Sequence, residues 1–401
     1  MPSVNPKILI WARETAGLNT ADAAKALGMS AEDRLTAFEA GLEAPSRSML
    51  VKMASKYRRS LLTFYLDTPP RKGDRGQDFR TVSAARSVAA DALVDALIRD
   101  IKARQELVRT TLEDEDEPVS LSFIGSLNTN DGVEKVAAAI QAGLKTTLAE
   151  YRRQKSSEEA FSLLRERAEA MGVFVLLIGN LGSHHTTIPV EVFRGFAIAD
   201  QVAPFVIIND QDAKTAWSFT LIHELAHLWI GATGVSGYWA DIAVEKFCNE
   251  VTSQFLLPIQ EIKDLQLPKD ISVNDAIAVI AQFASSRYIS RPMVAYRLHR
   301  SGALDWEKWR AIDGKLQEMF QREKAQRKEK ERGGDSGPSY YVVRRHRLGK
   351  ALLDFAERSV AAGSLSPVKA AKVLGVKPRS VFPLLADQGF DRNRADARGG
   401  V

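Results

Sequence analysis

Apolar residues return at helical spacing in short bursts over the first 66 positions. Ile8, Ile10 and Trp11 open the series, Thr20–Leu27 carries a second helix, and Gly28-Met29-Ser30 turns into a third over 31–39 that Gly41 stops. Pro45-Ser46 opens a fourth through Lys56, and Leu61, Leu62, Phe64 and Tyr65 close the unit ahead of Pro69-Pro70 and the polar stretch RKGDRGQ. The pattern predicts a compact five-helix domain over 1–70 with a linker behind it.

The helical period resumes over 84–112, breaks at the acidic run 113–117 and Pro118, and returns at 131–149 and 157–171. Three short apolar stretches follow, 173–178, 193–200 and 205–209, each bounded by Gly, Pro, Asn or Asp, and they predict a small sheet. Beyond them helices are expected at 216–230, 241–257, 274–286 and 290–301, then a charged helix ending in QREKAQRKEKER. GGDSGPS, at 333–339, has linker composition, and a last helical unit runs from 340 to about 388 before a polar tail. The fold class expected is mainly α with a small β-sheet, α+β. Its parts are the domain 1–70, a helical connector 80–150, a core 151–320, a charged linker 321–339 and a helical unit 340–401.

Composition narrows the classes. With 45% hydrophobic and 26% charged residues the chain as a whole is not disordered. A single cysteine, Cys248, excludes an internal disulfide framework, a four-cysteine zinc site and a Cys-x-x-Cys redox pair, and it suits a reducing compartment. The opening MPSVNPKILIWARETAG lacks a signal-peptide pattern and no apolar run nears the length of a membrane helix, so a cytoplasmic protein with no membrane partner is expected. The net charge of +5 is unevenly spread: residues 321–401 hold 18 Lys/Arg against 9 Asp/Glu, whereas the rest is slightly acidic. Only the C-terminal region has the electrostatics of a segment that approaches phosphate.

The chemistry concentrates in His223-Glu224-Leu225-Ala226-His227, inside an apolar helical segment. Two histidines four residues apart project from one helix face and can share one Zn²⁺, and the carboxylate of Glu224 beside them can take a proton from water and pass it to a leaving amine. A catalytic zinc site needs a third protein ligand on another element. Glu245, 18 residues after His227 in AVEKFCNEVTSQFLLP, is the favoured candidate, with Asn249 one turn further on as a hydrogen-bonding supporter of a ligand imidazole; Asp241 and Glu250 are its rivals. The apolar neighbours Leu221, Ile222, Leu225, Leu228, Trp229 and Ile230 make the helix a buried one, where an uncompensated His-Glu-His set would be costly.

FRGFAIAD at 193–200, FVIIND at 205–210, WSFTLIHELAHLWIG at 217–231 and VEKFCNEVTSQFLLP at 244–258 together resemble the ImmA/IrrE family of metallopeptidases over roughly 150–300. The resemblance implies a zincin-like, gluzincin-type core at 151–320 with one zinc per chain, held by His223, His227 and Glu245, with Glu224 as general base and Asn249 in a supporter position. It also implies a substrate class, helix-turn-helix repressors whose cleavage releases mobile-element, phage or stress-response genes. The stretch 205–209 is expected to run along the cleft with a free edge for substrate, and Tyr238, His184 and His185 are candidates for oxyanion or substrate contacts.

TADAAKALGMSAEDRLTAFEAG with APSRSMLVKMASKY resembles the XRE class of helix-turn-helix domains. Its third helix offers Glu32, Asp33 and Glu39 against Arg34, a poor set for reading DNA, so a protein partner is as reasonable an expectation. PVKAAKVLGVKPRSVFPLL, at 367–385, again has helix-turn-helix spacing, and Lys377, Arg379 and Ser380 at the start of its second helix are candidate DNA contacts, although Pro383 shortens or kinks that helix. Read as a plain dimerisation unit, the same helices would make the chain a homodimer. The leading expectation is a zinc metalloendopeptidase acting on a repressor protein. The alternative is a DNA-binding regulator or the antitoxin-like member of a toxin–antitoxin pair, with a non-proteolytic core.

Overall fold

The computed structural model describes residues 4–70, 88–115, 120–183, 186–231, 242–265, 267–268, 270–331 and 339–386. It is mainly helical with one small mixed sheet, an α+β fold. Helices α1 (Pro6–Glu14), α2 (Thr20–Leu27), α3 (Asp33–Glu39) and α4 (Arg47–Tyr57), with a 3-10 turn at Leu61–Tyr65, close around their own core of Ile8, Leu27, Leu35, Phe38, Met53 and Phe64. Asn19 and Ser46 cap α2 and α4 through their side chains, and Gly28 ends α2 with φ +73°.

The long α5 (Val88–Asp114) precedes α6 (Val133–Leu144), α7 (Leu148–Arg152) and α8 (Ser157–Ala170). A single helix expected over 131–149 is two, because Lys145 takes φ +47° and Thr147 starts α7 with a capping box to Glu150. The strands are β1 (Phe174–Leu177), β2 (Gly195–Ile198) and β3 (Phe205–Ile208), in the order β1-β3-β2, with β1 parallel and β2 antiparallel to β3. The central position of β3 corrects one expectation. Both its sides are paired, so it has no free edge for substrate; β2 is the edge strand on that side. Asn209 N–H donates to Arg194 O at 2.8 Å, which fixes the alternation of the ladder and turns the backbone groups of Gly195 and Ala197 outward.

Both faces of the sheet are buried, which is why its strands read as unbroken apolar runs. Val175, Leu177, Ala197, Val206 and Ile208 face one core, shared with α6, α8, α9 (Lys214–Trp229), α10 (Ile242–Leu256), α11 (Ile259–Asp264), α12 (Val273–Ser285), α13 (Arg291–Arg300) and the start of α14 (Trp306–Glu331). Phe174, Leu176, Phe196, Ile198, Phe205 and Ile207 face the other, shared with α5, α15 (Tyr340–Leu348), α16 (Lys350–Ala361), α17 (Pro367–Leu374) and α18 (Val381–Leu385). Helix α5 and the C-terminal helices thus form one layer over the sheet, while α6 lies on its other side.

An ion pair fastens that layer to the rest. Arg165 and Glu169 on α8, both nearly fully buried, meet at 3.1 Å. Arg165 also donates to Val175 O of β1 and to His346 O and Arg347 O at the end of α15, while Glu169 accepts from the first amides of α16, Lys350 at 3.0 Å and Ala351 at 3.2 Å. A cation thus meets a helix C-terminus and an anion a helix N-terminus. Gly349, at φ +78°, turns between the two helices, and no side chain fits there because its Cβ would overlap Glu169 and Arg165.

Candidate metal centre

Helix α9 is buried from Trp217 to Trp229 with only Phe219 partly open, because it is enclosed by β2 and β3 on one side and by α6, α8 and α10 on the other. Its N-terminal approach is pinned by Asp212, which pairs with Arg194 at 2.9 Å, and by Asn209, whose fully buried amide donates to Ile188 O and Phe193 O. Its last carbonyls, Leu228 and Trp229, accept from the amides of Gly125 and Leu127 at 2.9 and 3.0 Å. Gly231 lies so close to Gly125 that a side chain there would strike backbone.

The i, i+4 spacing brings His223 and His227 together, with Nε2 atoms 3.1 Å apart. Phe219, a turn earlier, stacks against the His223 ring at 6.3 Å and 28°. Glu245, in the first turn of α10, reaches both imidazoles: Oε2 lies 3.3 Å from His223 Nε2 and Oε1 3.3 Å from His227 Nε2. These three residues form a group that could hold a metal ion. Zinc–nitrogen and zinc–oxygen bonds are about 2.0–2.2 Å long, and tetrahedral bonds of that length put neighbouring ligand atoms about 3.3 Å apart. The donor set fits zinc in its chemistry, and the Glu245 carboxylate spans the two imidazoles with one oxygen toward each.

Glu224, fully buried beside the two histidines on α9, rests over β2 at Gly195. Glu250, a rival third ligand, turns away: it accepts from Tyr296 Oη at 3.0 Å and pairs with Arg300 at 3.2 Å. Asn249 is half-buried one turn after Glu245. Cys248 is buried in the core, as a small apolar residue would be. Asp241, Tyr238, His184 and His185 lie outside the described residues. Lys377 and Arg379 are exposed and Ser380 half-buried, at a 3-10 turn (Pro378–Ser380) and the five-residue α18, in the layer on the opposite face of the sheet. Pro383 sits inside that short helix.

Sequence reasoning singled out His223, His227, Glu245 and Glu224, which the structure brings together, but passed over Gly195, Thr220, Asn209 and Asp212. The signal for the first was a glycine inside an otherwise apolar strand, the usual mark of a close approach.

Neither a curated protein nor a solved structure matches the chain. The model of the IrrE N-terminal-like domain, Peptidase_M78, matches residues 180–299, a span that holds β2, β3, the whole His-Glu-His helix and Glu245, and so supports the ImmA/IrrE family for that part of the chain.

Proposed function

We propose that this protein is a zinc-dependent metalloendopeptidase. The observation that carries the reading is the convergence of His223, His227 and Glu245, one ligand atom from each lying within 4.8 Å of the others, a donor set suited to zinc. Bound there, zinc would supply Lewis acidity toward a peptide carbonyl and acidify water. Glu224 would accept the proton from that water and deliver it to the departing amine, in a position from which bulk solvent is excluded. Asn249 would orient a ligand imidazole. The outward backbone groups of Gly195 and Ala197 would hold an extended substrate as an added strand.

The substrate class we assign is a helix-turn-helix repressor, on the resemblance of residues 150–300 to a family with that role, and the reaction would take place in the cytoplasm. No helix among the described residues is long and apolar enough to cross a membrane. The N-terminal helices, with their acidic α3, would then bind a protein partner or restrain the peptidase. Metal analysis of the purified chain tests the core: about one zinc per chain, lost in His223→Ala and Glu245→Ala and kept in Glu224→Gln, is the expected result. Zinc that ignores Glu245 overturns the assignment.

The exposure of Lys377 and Arg379 favours a second activity, DNA binding by the C-terminal helices. It predicts promoter binding that weakens steeply with salt and with substitution of those two residues, and is indifferent to Glu224.

A further inference from the structure

The strand beneath Glu224 carries a residue whose missing side chain shapes the site. On β2, Gly195 shares a face with Ala197, the face that packs on α9. A Cβ built on Gly195 would stand 2.5 Å from Thr220 Cγ2, 2.8 Å from Glu224 Oε1 and 3.0 Å from the backbone oxygen of Ile207. The last of these cannot yield, because β2 is held in register by its pairing with β3. The strand cannot retreat and α9 is clamped at both ends. The atoms left to move are the side chains of Thr220 and Glu224.

Resting on the reading of Glu224 as general base, we infer that Gly195 is a positioning residue for its carboxylate. The bare Cα leaves the space that Oε1 uses, and a methyl group there displaces the carboxylate, while none of the three atoms nearest to it belongs to His223, His227 or Glu245. Gly195 is therefore a requirement of the proton-transfer geometry and not of metal binding. A strand position with outward backbone groups and an inward bare Cα also brings an added substrate strand and the base to the same residue.

The test uses the full zinc-loaded chain and acetohydroxamate, a small chelator whose acidic group needs a carboxylate acceptor beside the metal. Four proteins are compared: wild type, Gly195→Ala, Gly195→Ala with Thr220→Ser, and Glu224→Gln. The serine removes Cγ2, the nearer obstacle, and leaves the one at Glu224. The expected result is about one zinc per chain and an unchanged cobalt(II) absorption spectrum in all four, with acetohydroxamate affinity reduced about tenfold in both Gly195 variants, as in Glu224→Gln, in line with the loss of one charge-assisted hydrogen bond. Thr220→Ser should restore the melting temperature lost in Gly195→Ala but not the affinity. Should Gly195→Ala alone fail to fold, the double variant carries the comparison.

Wild-type affinity in the double variant overturns the inference alone, because Gly195 would then serve only packing against Thr220. Absent zinc in the wild type, or full affinity in Glu224→Gln, overturns the metal-and-base reading and this inference with it.

Discussion

Two groups of ionisable side chains, one on helix α8 and the other on α9 and α10, are built on opposite plans. Arg165 and Glu169 join unlike charges, and their remaining hydrogen-bonding capacity is spent on backbone: three carbonyls for the guanidinium, two amides for the carboxylate. Burial pushes the Glu169 carboxyl up and holds the Arg165 guanidinium down, and the attraction between them opposes both shifts. His223, His227 and Glu245 instead bring together four atoms able to donate lone pairs, two imidazole nitrogens and both carboxylate oxygens, in contacts of 3.1–3.3 Å. The first group is complete as protein. The second is a set of donors that could hold a cation, and that difference distinguishes the two clusters better than burial or charge count does.

The widest separation between the two comes from removing a member of each. His223→Ala or Glu245→Ala should take zinc content from about one per chain to near zero, read by mass spectrometry, while Arg165→Met leaves it unchanged. Next in size, Glu224→Gln should keep the metal and cut peptide hydrolysis by about 10²–10⁴-fold, the usual worth of a positioned general base. A loss of zinc in Glu224→Gln would show that the carboxylate belongs to the ligand set. Arg165→Ala, which strands a buried carboxylate, should cost about 3–5 kcal/mol in denaturant unfolding without moving zinc stoichiometry.

The smallest effect concerns a partly exposed carboxylate with two cations, which follows the structural plan. Burial pushes the Asp100 carboxyl up, but Arg104 at 2.5 Å and Lys372 at 3.1 Å outweigh it and leave it below the ordinary carboxylate range. Its contribution is therefore fully present above about pH 4 and is lost as the pH falls through the lowered value. Asp100→Asn should cost about 1 kcal/mol at neutral pH, discounted for the exposure of Lys372, and should flatten the acid limb of the stability curve.

The sequence made the His223, His227 and Glu245 cluster legible because its geometry is local. Helical spacing alone puts His223 over His227, and Glu245 stood out as a carboxylate on the next helix with an amide one turn behind it. The strands were legible within two residues at most ends, since a buried strand is an apolar run between breakers. What was hidden depends on partners far away in the chain. An Arg165, Glu169 pair at i, i+4 reads like any solvated helix pair, and only the arrival of α15 and α16 some 180 residues later makes it a buried clamp. The strand order was equally hidden: periodicity assigns β3 two apolar faces but is silent on which strands flank it. Gly195 matters because of Glu224, 29 residues on, and a strand glycine without its neighbour is only a weak strand residue.

One further consequence follows from where Arg165 points. In a parallel ladder alternate residues turn their backbone groups away from the partner, and the amide of Phe174, bonded to Pro204 O, leaves Val175 facing the outer side of β1. The guanidinium occupies that carbonyl, and α15 packs beside it. The sheet is thus terminated chemically on one flank. An extended chain that seeks to lengthen it at β1 meets that guanidinium and α15, whereas on the other border, among the described residues, β2 turns the backbone groups of Gly195 and Ala197 outward. With the substrate strand proposed above, protection against promiscuous strand exchange and admission of the guest would fall to opposite borders of the same three strands.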